Sequence, residues 1–119
     1  MALTTLTLRA RRTPELVVSM SAEGRATVVT LCGEADNATL PLVTRMLDRA
    51  RAHDGPVVVD LAATHFINSG TVRVIGQVAH ALAEQGRRLT IRSPSDLAVR
   101  VLELHGLSDL IMPGGGEGQ

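Results

Sequence analysis

A chain of 119 residues is the size of one domain and can bury roughly 65% of its unfolded surface in a single core. Twelve basic and twelve acidic side chains cancel to zero, which argues against direct nucleic-acid binding, a task that needs a basic surplus. Phe66 is the only aromatic, so the core must be aliphatic; no apolar run reaches the ~18 residues that span a membrane, and the lone Cys32 excludes a disulfide framework and favours a reducing, cytoplasmic setting.

Residues 1–13 carry a weak alternation through Leu3, Leu6 and Leu8 and end in Arg11-Arg12-Thr13. They read as a mobile N-terminal arm or, at most, an extra edge strand, and the arginines as a solvated or a docking cluster. No signal peptide is expected, because the arginines follow a short Thr/Leu stretch instead of preceding an apolar one. The domain proper is placed at 14–112, with a Gly-rich disordered tail at 113–119.

Leu16–Met20 and Ala26–Cys32 read as strands of a hairpin, with Gly24 supplying a positive φ in the turn. Cys32 is expected to be a small buried strand residue, the other reading being a redox-sensing thiol. Gly33 to Thr39 breaks the strand and leads into a helix that Asn37 or Thr39 can cap, with Pro41 in its first turn. Val43, Met46, Leu47 and Ala50 recur at helical spacing, and His53-Asp54-Gly55-Pro56 stops the helix.

Val57-Val58-Val59-Asp60-Leu61 reads as a strand buried on both faces, followed by a short connector. A helix from about Ser69 to Glu84 shows Val72, Ile75, Ala79 and Leu82 on one face, and Val74, Val78 and Ala81 on a second strip that serves either the core or a partner. Leu89-Thr90-Ile91 is a further strand. Ser93-Pro94-Ser95-Asp96 starts a third helix with Pro94 at its first position, Leu97, Val101 and Leu104 as its apolar face and Gly106 as its stop. Alternating helices and strands predict an α/β fold with a mixed sheet of four to five strands and helices packed on it.

Asn68-Ser69-Gly70 sits where a strand gives way to a helix. A helix N-terminus exposes unpaired N–H groups and about half a positive charge, so it suits either simple capping by Asn68 or Ser69 or a hydroxyl that carries a phosphate. Enzymatic chemistry lacks residues. The four histidines are scattered without metal-ligand spacing, no serine has a nucleophile elbow, and Gly114-Gly115-Gly116 lacks the Lys-Ser/Thr of a phosphate loop. No enzyme activity, metal or cofactor is expected.

The strand at Val57, its connector and the Phe66-Ile67-Asn68-Ser69-Gly70 turn resemble the signature of the STAS family, as does Gly33-Glu34-Ala35-Asp36 beside that family's G-E-L-D turn. The resemblance covers roughly Leu16 to Met112. Its best-known members are anti-sigma factor antagonists, in which a serine in a D-S-[ST]-G turn is reversibly phosphorylated. It therefore implies a phosphorylatable Ser69 and a partner-binding surface of Asp36, Asn37, Asn68, Gly70, Thr71 and Arg73. The implied partner is an anti-sigma factor that is also a serine kinase with an ATP-binding fold, so transcription is regulated indirectly. Departures are visible: Asn68 replaces the usual acidic residue, Gly70-Thr71 stands where a hydroxyl residue then glycine is expected, and Arg73 replaces a small residue. Arg73 is either solvated or a partner for the phosphate. The alternative implied function is a STAS module that binds without phosphorylation, in a sensory assembly or as a transporter accessory subunit.

Overall fold

Three consecutive valines, Val57 to Val59, form an inner strand of the sheet in the computed structural model, which describes residues 6–9 (backbone only) and 16–113. Branching at Cβ suits them to a pleated surface, and all three are buried. The elements run β1 (Leu6–Arg9), β2 (Leu16–Glu23), β3 (Ala26–Ala35), α1 (Leu40–Arg51), β4 (Val57–Asp60), β5 (Thr64–Ile67), α2 (Ser69–Ala83), β6 (Leu89–Arg92) and α3 (Asp96–Leu104), then a 3-10 turn at Ser108–Leu110. Five strands lie in the order β1-β2-β3-β4-β6, and β5 adds a sixth beside β3. The pairs β1–β2 and β2–β3 are antiparallel, while β3–β4, β4–β6 and β3–β5 are parallel. This is the mixed α/β sheet with helices that the pattern predicts.

β3 runs on where a break at Gly33 is expected. Gly33 adopts φ 121°, open to glycine, and the register shifts between Gly33 and Glu34. Through that bulge one edge of β3 serves two neighbours, pairing with β4 over Thr27–Thr30 and with β5 over Gly33–Ala35. β5 itself occupies what reads in the sequence as part of the connector and the turn. Leu6–Arg9, expected in the mobile arm, instead pairs with the open edge of β2, the edge-strand alternative. The rest of the arm and residues 114–119 of the tail lie outside the described residues.

The helical stripes pack on one face of the sheet. Val43, Met46, Leu47 and Ala50 of α1 are buried, as are Val72, Ile75, Ala79 and Leu82 of α2, and Val78 of the second α2 strip joins the core. Leu31 takes the core face of β3, so by alternation Cys32 points the other way and is exposed, a correction to its expected burial. α3 is also rotated from expectation. Ala98 and Leu102 are buried, whereas Leu97 and Leu104 are exposed. Gly106 (φ 71°) ends α3 in a Schellman turn in which Leu107 donates to the Leu102 carbonyl at 2.8 Å. Leu107 then rests on Gly76 of α2, where an added Cβ would come within 3.1 Å of it, and Ala98 and Leu102 form the inward edge of α3. α3 begins at Asp96, capped by Ser95, so Pro94 precedes the cap and is not in the first turn.

Two charged clusters lie away from α2's start. The Arg87 guanidinium donates to the carbonyls of Gly55 (3.0 Å), Arg51 (3.0 Å) and His53, and to Gln85 Oε1 (3.0 Å). On the sheet face opposite the helices, Arg92 donates to Asp60 Oδ2 (2.8 Å) and Glu23 Oε1 (2.9 Å), joining β6 to β2 past the two strands between them.

Candidate functional site

The end of β3 and the start of α2 are held together by backbone first. Asn68 donates its N–H to the Ala35 carbonyl at 3.0 Å, which sets α2 beginning directly beyond the β3–β5 pair. Asn68 is the N-cap, and its Oδ1 accepts from the Thr71 N–H (2.9 Å) and the Thr71 hydroxyl (2.8 Å). Its Nδ2 donates to Asn37 Oδ1 at 2.8 Å, tying the β3–α1 loop to α2. Capping is thus completed by Asn68 alone. Ser69 occupies the first helical position, is exposed, and has no side-chain hydrogen bond among the described residues.

The β3–α1 loop closes on itself. Asp36 Oδ1 accepts from the Thr39 N–H (3.1 Å) and Thr39 Oγ1 (3.3 Å), and the Asp36 N–H donates to Thr39 Oγ1 (2.9 Å). Thr39 stands at the N-cap position of α1 but caps no amide of the helix, against expectation, because its hydroxyl is taken up in this turn. Asp36 therefore shapes the loop that presents Asn37. Asn37 makes the bond to α2, which the sequence does not single out.

Expected site residues separate into two layers. Asn37, Ser69 and Arg73 are exposed and Asn68 and Gly70 are half-buried, so these five reach the surface. Thr71 is 0% exposed and cannot offer its side chain to a partner; the correction is that it braces Asn68 from beneath. At Gly70 a Cβ would sit 3.5 Å from Asn37 Oδ1, ordinary contact, so the family's hydroxyl residue fits sterically and glycine is not demanded.

Two grooves flank the helix start. One of about 530 Å³ runs along α1 and is lined by Asn37, Leu40, Pro41, Thr44, Arg45 and Asp48. Another of about 350 Å³ lies on α2 beyond Arg73, between Gln77, His80, His105 and Leu107. Apart from Asn37 and Arg73, these groove residues carry no sequence signature, since they form no motif until the fold assembles them.

A family model described as Mlab, STAS domain matches residues 18–113. The chain belongs to the STAS family. Comparison with curated protein sequences finds no match. Among solved structures, this STAS domain is similar to an anti-sigma factor antagonist from Mycobacterium paratuberculosis, with a TM-score of 0.72 at 18% identity over 97% of this chain and 92% of that one. It is similar to the anti-sigma factor antagonist SpoIIAA in its unphosphorylated form, with a TM-score of 0.71 at 18% identity over 80% of this chain and 85% of that one. The phosphorylated form of SpoIIAA, a Bacillus cell fate determinant, gives a TM-score of 0.67 at 18% identity over 80% and 88% of the two chains. At these identities the likeness is one of fold. No helix among the described residues of this STAS domain is long and apolar enough to cross a membrane.

Proposed function

We propose that this STAS domain is an anti-sigma factor antagonist, a non-enzymatic binding module switched off by phosphorylation of Ser69. The observation that carries the reading is the division of labour at α2, where Asn68 does the capping and leaves the Ser69 hydroxyl exposed and unbonded. The partner is an anti-sigma factor with an ATP-binding kinase fold, which docks over Asn37, Asn68, Ser69 and Gly70. In the transfer, Ser69 Oγ forms a bond to the γ-phosphorus of ATP as the bond to the bridging oxygen breaks. ADP leaves and the hydroxyl proton passes to a base of the kinase.

The electrostatics suit a switch. Asn37, Asn68, Ser69 and Gly70 are all neutral, so a partner that covers these four and leaves Arg73 in water buries no charge. A phosphate adds between about −1.5 and −2 charges there, beside unpaired helix amides that tolerate it within the domain itself. In the complex the same charge is taken out of water against neutral groups, and that desolvation drives release.

Incubation with the cognate anti-sigma factor and ATP is expected to add one phosphate, mapped to Ser69 by mass spectrometry. Ser69→Asp should weaken the complex roughly 100-fold while Ser69→Ala binds nearly as wild type. Equal affinities for the two variants would overturn the charge mechanism.

One observation favours a second reading, a STAS module that docks without being modified. The usual carboxylate beside the serine is absent, and Asn68 spends its amide on the cap and on Asn37. Undiminished binding with no label from an active kinase selects this reading.

A further inference from the structure

Ser69 and Arg73 lie one helical turn apart on α2, and both are exposed. Helical side chains lean toward the amino end, so a long one at Arg73 reaches back over the positions three and four residues before it. Those positions are Gly70, which has no side chain to stand in the way, and Ser69 itself. The corresponding neighbours on the other side, Gly76 and Gln77, are uncharged. Arg73 thus has no carboxylate within a turn of it along α2, and it forms no ion pair among the described residues.

Neighbouring groups offer it no acid either. The groove that Arg73 lines has His80 and His105 as its other titratable groups, and His80 is engaged by Glu84 at 3.2 Å. Glu84 lies eleven residues beyond Arg73, about 16 Å along the helix. In the groove on the α1 side, Arg45 and Asp48 carry opposite signs. Asp36, in the loop beside Asn37, turns its Oδ1 to the Thr39 N–H and hydroxyl.

We propose that Arg73 takes up the phosphate of modified Ser69, its guanidinium holding the phosphate along α2 by charge-assisted hydrogen bonds. The inference rests on the reading of Ser69 as a phosphate acceptor and adds a counter-charge to it. An unmodified serine offers Arg73 only a neutral hydroxyl, so the ion pair forms on modification. A cation one turn away favours the doubly charged phosphate, and the modification then adds close to its full charge at neutral pH. A partner that covers Ser69 and leaves Arg73 in water must break this pair as well as desolvate the phosphate. Arg73 therefore biases the modified chain toward the unbound state.

Phosphoserine installed at position 69 of the full chain during translation needs no kinase and tests the pair directly. A phosphorus NMR titration should give this phosphate a second pKa below its ordinary value of about 6, and Arg73→Gln should raise it by about 0.5. The helix amides, Asp36, His80 and His105 are common to both proteins, so the difference reports the guanidinium. Arg73→Lys should recover part of the shift, because it keeps the charge and loses the fork. Arg88→Gln, at the opposite end of the sheet, should leave the value unmoved, and about 1 M salt should bring the wild type close to Arg73→Gln. Equal values for wild type and Arg73→Gln overturn the proposal, as does a shift of the same size in Arg88→Gln. The two readings fail separately: an active kinase that leaves Ser69 unlabelled sinks the switch, whereas full labelling with an unshifted phosphate sinks the pair alone.

Discussion

The two ends of the parallel strands are fastened by different chemistry. At the carboxyl ends of β3 and β5, helix and loop are joined by neutral groups: the Asn68 amide on Asn37 and the Asn68 cap on Thr71. At the amino ends of β4 and β6, the Arg87 guanidinium gathers carbonyls from the exit of α1 and the loop before β4. The Arg51 carbonyl has lost its intrahelical partner at the end of α1, where the helix dipole is negative, and a fixed cation suits it. The helix start at the opposite end has the positive pole and is left without a carboxylate. A region that closes the fold permanently can use a charge, whereas the α2 start, where the proposed switch would add one, is built from neutral hydrogen bonds.

The largest expected effect falls on the guanidinium end. Arg87→Ala strips donors from three backbone carbonyls and should cost about 2 kcal/mol, since hydrogen bonds to a charged group are stronger than neutral ones. For a domain of this size that lowers the melting temperature by roughly 8 °C. Arg87→Lys should recover less than half, because an ammonium cannot span the same fork of acceptors. Partner binding at α2 should not change. A drop in affinity equal to that of a site variant would show that the two ends are not separate.

A smaller effect is expected at the neutral end. Asn68→Ala removes the cap and the link to Asn37 and should cost about 1 kcal/mol by denaturant unfolding. Asn68→Asp keeps a capping oxygen and adds a charge that the helix dipole favours, so stability should stay within about 0.5 kcal/mol of wild type. The same variant restores the family's acidic residue, and the proposed switch predicts faster labelling of Ser69 in the kinase assay. Unaltered labelling would show that the missing carboxylate is no handicap.

The same division explains what could be read from the sequence. The α1 stripe and the main α2 face are periodic over a single helix, so Val43, Met46, Val72 and Ile75 announce their burial locally. The strand at Val57 and the turn that sets Ser69 at the start of α2 are legible as a motif. β5 was not, because a four-residue strand of Thr64, His65, Phe66 and Ile67 has no period of its own and exists only through the bulge at Gly33. The facing of α3 is tertiary too: Ala98 and Leu102 turn inward where Leu107 seats on Gly76, a contact between segments about thirty positions apart. Cys32 departs from expectation for a related reason: alternation gives two faces, but which face the helices cover is a tertiary fact. Thr71 looked like surface because its support of Asn68 appears only when the cap is formed.

The smallest effect concerns a charged cluster where β4 and β6 finish, on the sheet face away from the helices. On the open sheet face, the Arg92 guanidinium hydrogen-bonded to Glu23 holds the Glu23 carboxyl below its ordinary range, and the two carboxylates, Glu23 first and Asp60 second, push Arg92 upward. A carboxyl with a lowered folded-state pKa stabilises the protein above its unfolded value of about 4.3, and the contribution is lost as pH falls through the folded value. Thermal melts from neutral to acidic pH should therefore show an added loss of stability beginning near the ordinary carboxylate range. Arg92→Gln should remove that component, and the share of its effect that runs through Glu23 should be small at neutral pH, because Glu23 is exposed and that pair is screened by water and salt. High salt should reproduce the substitution. If the acid component survives in Arg92→Gln, it originates in another carboxyl, and the Arg92 cluster then orders the open face without setting the domain's response to pH.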